Sequence, residues 1–279
     1  MRRIRAAKED FNEFALPSSR RAQFADCYKE RFWLMAKIAL FTTLFALPVI
    51  IVMLFRDYQV SRALSGISPE DLEARAAVIA QGKMIFGPIL ILAYSLFFFL
   101  FAGLVQVMKQ LIWGEPIFFW NDFKDGLKSF GFAFAGIAFA LSLGDFTINM
   151  LTSSLANDIL TGVLLLLLFP IGLWSGAQAV FYKTTIAGRF VNALKFTIRT
   201  FPLTMLLTIA LFGPFYLVSK FIPQFLVAYL VILLITFFLV TPVFLGFLLC
   251  AAHYFDRFVN KEMYPLYYRK GLSPEKPQD

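Results

Sequence analysis

The chain has 279 residues, of which 59% are apolar and only 16% charged, with 35 Phe and a formal net charge of +8. A water-soluble core of this length cannot hide so much apolar surface, and the apolar residues fall in runs of about 20, which excludes both a disordered chain and a disulfide scaffold. The composition predicts an all-α, polytopic transmembrane helical bundle forming one integral membrane domain over 1–279.

The first 31 residues are mixed and basic, carrying Arg2, Arg3, Arg5, Lys8, Arg20, Arg21, Lys29 and Arg31 with Phe11, Phe14 and Phe24 between them. Glu9, Asp10, Glu13, Asp26 and Glu30 dilute that charge, so the segment reads as a membrane-surface arm and not as a nucleic-acid binder. A hydrocarbon layer about 30 Å thick needs roughly 20 apolar residues per helix. Six runs qualify: 32–55, 84–108, 129–151, 159–182, 201–219 and 225–252. The first begins too late, and is too long, for a cleavable signal peptide.

The connection 56–83 contains Ser68-Pro69-Glu70-Asp71, which predicts a short helix over 69–81, capped by Ser68 and able to run on into the second span. The next connection starts at Gly114-Glu115-Pro116. There Ile117, Trp120, Phe123, Leu127 and Phe130 recur at helical spacing, with Asn121, Asp122, Lys124, Asp125 and Lys128 opposite. The connection after the fourth span repeats the pattern, with Ile186, Phe190, Leu194 and Ile198 against Arg189, Asn192, Lys195 and Arg199. Both segments predict amphipathic helices lying in the membrane interface. Residues 121–128 and 188–195 align at an offset of 67 through Phe, Leu and Lys, which reads either as a weak duplication of a span, interfacial helix, span unit or as a likeness common to such helices. Beyond the sixth span, Tyr254, Phe255, Phe258, Tyr264, Tyr267 and Tyr268 suit the headgroup zone, and 273–279 predicts a mobile tail.

Six spans put both termini on one side. That side collects twenty Lys and Arg, against five on the other (Arg56, Arg62, Arg75, Lys83 and Lys220), while Lys37 snorkels from the first span. Basic connections stay inside, so both termini are expected in the cytoplasm and the chain in the plasma membrane.

The stretches 113–128 (Trp-Gly-Glu-Pro-Ile-Phe-Phe-Trp-Asn-Asp-Phe-Lys-Asp-Gly-Leu-Lys) and 255–265 (Phe-Asp-Arg-Phe-Val-Asn-Lys-Glu-Met-Tyr-Pro), with Arg269-Lys270-Gly271-Leu272, resemble the YesL-like family of Gram-positive bacterial membrane proteins of unknown function. The resemblance covers most of the chain from about residue 24. It implies a permease-like or accessory component of a carbohydrate-related transport system, and it brings no catalytic residues with it.

Candidate polar sites inside the spans are few. Asp145 is the one acid within a span, with Asn149 a turn further on the same face; the pair reads as a hydrated, locally bonded helix end or as a substrate contact. Gln106 and Gln178 read as inter-helix hydrogen-bonding residues. Pro48, Pro88, Pro170, Pro214 and Pro242 predict kinks, and Gly87-Pro88 and Gly213-Pro214 form a pair of the kind that interrupts transporter helices. Gly131, Ala135, Gly136 and Ala140 in the third span, with Gly172 and Gly176 in the fourth, predict close packing of these two helices.

Enzyme readings have little to stand on. Ser175 and His253 echo a rhomboid-like pair, yet Leu173 stands where that nucleophile motif needs glycine. One His and two distant Cys, Cys27 and Cys250, give no metal spacing, and no nucleotide-binding loop is present, so neither metal nor cofactor is expected. The chain therefore reads as a non-enzymatic membrane component of a transport system. Trp120, Phe123, Leu127, Phe190 and Leu194 are its candidate docking residues, and its expected partners are membrane lipid with transporter subunits or a second copy of the chain, not nucleic acid. A self-sufficient carrier or channel is the alternative, and an intramembrane hydrolase the remote one.

Overall fold

A computed structural model describes residues 16–151 and 154–273. The surface-arm reading of Arg2 to Phe14 and most of the tail 273–279 lie outside these residues. Among the described residues the fold is entirely helical, and six helices are long and apolar enough to cross a membrane: Phe32–Leu64, Leu72–Trp113, Phe119–Met150, Ala156–Phe181, Phe201–Phe221 and Phe225–Met263. The chain is a polytopic helical membrane protein.

Helix α1 (Arg20–Glu30) opens on Ser19, whose hydroxyl accepts from the Ala22 N–H, and it buries Gln23 and Cys27 against the bundle. Helix α2 (Phe32–Leu64) and helix α3 (Leu72–Trp113) run antiparallel and outreach a hydrocarbon layer. Their 33 and 42 residues correspond to about 50 and 63 Å. A Cβ at Gly82 of α3 would sit 2.5 Å from Val60 of α2, so the two remain in close contact well beyond the predicted span ends. The helix predicted over 69–81 begins at Leu72 and is continuous with the second span. Asp71, not Ser68, caps it, accepting from the Ala74 N–H at 3.0 Å, because Ser68 to Glu70 are taken up by the tight turn.

Gly114 ends α3 in the left-handed conformation (φ 66°), with the Glu115 N–H returning to the Gln110 carbonyl. The helix expected to start at Gly114-Glu115-Pro116 therefore starts later, as α4 (Phe119–Gly126). Asp122, expected on its polar face, is buried and accepts from the Phe118 N–H at 2.7 Å, closing the helix start. One wide π turn, Leu127–Gly131, joins α4 to α5 (Phe132–Leu151). Helix α6 (Ser154–Val163) and α7 (Phe169–Phe181) flank a second π turn, Leu164–Leu168. Then follow α8 (Ile186–Arg199), α9 (Phe201–Phe221), α10 (Phe225–Ile235) and α11 (Thr241–Phe255), with π turns at Thr236–Val240 and Asp256–Asn260, and a short α12 (Lys261–Met263).

Two of the five prolines, Pro170 and Pro242, sit at the second helical position after a π turn. Such a turn shifts the carbonyls that a proline ring would strike, so the helix passes the residue by widening. Pro48, Pro88 and Pro214 lie within α-helix. The Gly-Pro pair is not equivalent in the fold. Gly87 is the socket of the Phe146 ring, whereas a Cβ at Gly213 would meet only its own helix's Ile209. Close approach of α5 and α7 occurs at Gly172, where a Cβ would lie 2.9 Å from Ile137, but Gly136 faces open space. The tighter small-residue contact is Gly126 against Ala102 and Gly103 of α3.

The core centres on Trp174 of α7, fully buried and stacked on Phe196 of α8 at 4.9 Å, with Phe247, Tyr254 and Phe255 edge-on around it. Both described chain ends meet at one end of the bundle, where the Ser273 N–H donates to the Pro17 carbonyl. This end is the base; the α2–α3 turn marks the apex.

Candidate functional site

At the apex, four helices, α2, α3, α5 and α10, bring charged and polar side chains together. Asn149 of α5 accepts from Lys83 Nζ of α3 at 3.0 Å, and its amide donates to the Asp145 carbonyl at 2.9 Å. The charges of Lys83 and Arg56 act on the exposed Asp145 carboxylate. Arg56 pairs with Asp57 at 2.8 Å, and Asp57 accepts from Tyr229 OH of α10 at 2.6 Å. Tyr94 of α3 completes the group, donating weakly to Met53 Sδ and lying within the fields of Asp145 and Arg56. Such a cluster can hold its own charges in a poorly hydrated place or present an ion-binding surface.

Asp145 and Asn149 are thus together, as their helical spacing predicts. Lys83, Arg56, Asp57, Tyr94 and Tyr229 were not singled out from the sequence. The available signal was positional: Arg56 and Asp57 follow the first run and Lys83 precedes the second, so an antiparallel pair must bring those ends side by side. Gln106 and Gln178 lie elsewhere. Gln106 is at the α3–α4 crossing, beside Gly126. Gln178 is buried and donates to the carbonyls of Trp174 and Arg189, tying α7 to α8.

The docking candidates divide between interior and surface. Phe123 is only 9% exposed, packed on Phe45 and over Gly103. Leu127 is half-buried at the start of the π turn. Trp120 is half exposed, with its ring edge-on to Phe41 and under Lys37. Phe190 and Leu194 share the outward face of α8 with Ile186, Val191 and Ile198, all exposed. Helix α8 is capped by Thr185 and tied to α7 by Gln178, with Phe196 stacked on Trp174.

A heavily bonded buried group lies at the base, and its key pairing was not foreseen from sequence. Arg20 Nη2 pairs with Asp256 Oδ2 at 2.8 Å, with side-chain exposures of 9% and 10%. Arg20 Nη1 donates to Gln23 Oε1, the Lys270 carbonyl and the Ile112 carbonyl. Asp256 Oδ1 accepts from the Arg269 N–H at 3.0 Å and from Asn260 Nδ2 at 2.8 Å, while Asn260 Oδ1 accepts from Tyr182 OH. Gln23 Nε2 donates to the Ile112 and Gly271 carbonyls. Burial lowers the Arg20 pKa against the opposing pull of Asp256, but arginine starts so high that it stays charged at neutral pH. A cavity of about 10 Å³ beside this clasp has room for one water. It is lined by Arg20, Tyr182, Asp256 and Asn260 among others, and Arg20 Nε is buried without a hydrogen-bond partner. Residues 113–115 and 255–272 supply much of this base.

Comparison with family models, with curated proteins and with solved structures gives no match.

Among the described residues no group of three potential metal ligands converges. The two cysteines are free thiols. Burial pushes the Cys27 thiol up to about 11, with Arg31 partly opposing it. At pH 8 such a thiol is about one part in a thousand thiolate, so maleimide labelling of Cys27 in a Cys250→Ser background should run about a hundred-fold slower than labelling of free cysteine. The rate should recover on unfolding in sodium dodecyl sulfate. Labelling of the folded protein at the free-cysteine rate contradicts this placement.

Proposed function

We propose that the protein is a non-enzymatic component of a transport system in the plasma membrane, with both termini in the cytoplasm. The orientation rests on the twenty basic residues of one side against five on the other. The observation that carries the role is α8. Its apolar face is left uncovered by the other described residues, while Gln178 ties it to α7 beside a base closed by the Arg20–Asp256 pair. A partly apolar platform of this kind suits attachment to another membrane subunit, and the resemblance of 113–128, 255–265 and 269–272 to the YesL-like family points to carbohydrate-related transport.

The apical cluster favours a second reading, a self-sufficient carrier with Asp145 in its path. Reconstitution in vesicles separates the two. On the first reading the protein alone moves no solute, Asp145→Asn changes nothing, and transporter subunits that co-purify in mild detergent are released by Phe190→Ser. Solute uptake by the protein alone that collapses in Asp145→Asn establishes the second.

A further inference from the structure

A second charged group at the base remains outside the clasp. Trp113, the last residue of α3, has Lys109 Nζ 4.2 Å and Lys270 Nζ 3.9 Å from its ring centroid, so two ammonium groups lie against one indole. Tyr267 stacks on the same ring at 5.3 Å. Lys183, just beyond α7, is exposed and close enough for its charge to act on Lys109, as do Glu115 and Lys270. Three cations from three separate segments are therefore neighbours around Lys109, and the one carboxylate whose charge acts on Lys109, Glu115, is already engaged by Lys270. The nearby Asp256 is taken by Arg20. Like charges gathered beside a half-buried ring repel one another unless an anion joins them, and lysine is a common partner of phosphate.

We propose that Lys109, Lys183 and Lys270 form a phosphate-binding site, with Trp113 as its floor. The site recognises a phosphate ester or free phosphate: the ammonium groups bind the oxygens by charge-assisted hydrogen bonds, and the indole orients Lys109 and Lys270 by cation–π contact. Its position at the end of a span, among interfacial aromatic rings, is where an anionic lipid presents its headgroup.

The test uses the full chain in nanodiscs of phosphatidylglycerol or phosphatidylcholine, with native mass spectrometry of retained lipid, and a separate titration with inorganic phosphate in detergent read by thermal shift. Lys109→Gln with Lys183→Gln should lower phosphatidylglycerol retention about ten-fold, allowing for salt. Lys195→Gln, a charge loss on exposed α8, should not, and Lys109→Arg with Lys183→Arg should keep most of the binding. Stabilisation by millimolar inorganic phosphate that the double Gln variant loses, with no preference for phosphatidylglycerol, assigns the site to a soluble phosphate. Equal phosphatidylglycerol retention by wild type and the double Gln variant, with no difference in their phosphate response, overturns the proposal. The melting temperature of the double Gln variant in ligand-free detergent checks folding; should it fall, the Arg variant decides, and loss of its binding as well counts against the site.

Discussion

Arg20→Met is expected to destabilise the folded bundle by about 3–5 kcal/mol, the cost of leaving one member of a buried ion pair without its partner. Asp256 keeps its bonds from the Arg269 N–H and Asn260 after the change, but these dipoles do not replace a full positive charge. Arg20 also serves the Lys270 and Ile112 carbonyls, which lose a donor together. Adding Asp256→Asn to Arg20→Met removes the orphaned charge while leaving an oxygen to accept from Arg269, so the double variant should regain at least half of the loss. Unfolding by sodium dodecyl sulfate in mild detergent, followed by far-UV circular dichroism, measures both. Equal stability of wild type and Arg20→Met would show that the clasp contributes little to holding the base.

Gly126→Val is expected to cost about 2–3 kcal/mol through overpacking at the α3–α4 crossing. A Cβ there would sit 2.7 Å from the Ala102 carbonyl oxygen, 2.7 Å from Gln106 Cβ and 2.9 Å from Gly103 Cα. Two of these are backbone atoms, so relief requires the helices to separate, which would also lift Phe123 from its place over Gly103. The comparison is Gly136→Val in α5, where a Cβ meets nothing within 4 Å and valine has the better helix propensity. That variant should melt within a degree or two of wild type or slightly above it. If the two substitutions prove equally harmful, the close approach lies elsewhere.

These two positions show what the sequence could and could not convey. Hydropathy counts oil along the chain, and a bilayer demands a minimum length of it, so all six spans and an all-helical fold, with no strand among the described residues, could be read directly. It does not say which side of a helix faces a neighbour. Gly136 belongs to the small-residue stripe by spacing, yet in the fold it faces open space, while Gly126, classed with an interfacial segment, lies at the crossing. Helix limits failed where local chemistry overrode the apolar pattern: Gly114 stops α3 by adopting a left-handed conformation, and Asp122 turns inward to satisfy the Phe118 N–H.

The candidate sites divide in the same way. Asp145 and Asn149 were readable because four residues make one helical turn. Their companions Lys83, Arg56 and Tyr229 come from other helices, and periodicity within one segment carries no information about such meetings. The Arg20–Asp256 pair joins residues 236 positions apart, a separation at which neither spacing nor composition offers a signal. Tyr254 and Phe255 were assigned to the headgroup zone as aromatic residues, but Phe255 is buried in the Trp174 cluster, because the sixth helix runs on past the apolar limit through a π turn.

The seal at the base also sets an order of events during synthesis. Arg20 leaves the ribosome ahead of the six described spans, while Asp256 and the turn around Arg269 emerge after nearly all of them. Until then the guanidinium has no permanent counter-charge, and the early helix that bears it must wait at the surface while the intervening helices are threaded into lipid. Closure is thus a late, long-range step, made only after the sixth span has been synthesised and slow in the manner of contacts between distant parts of a chain.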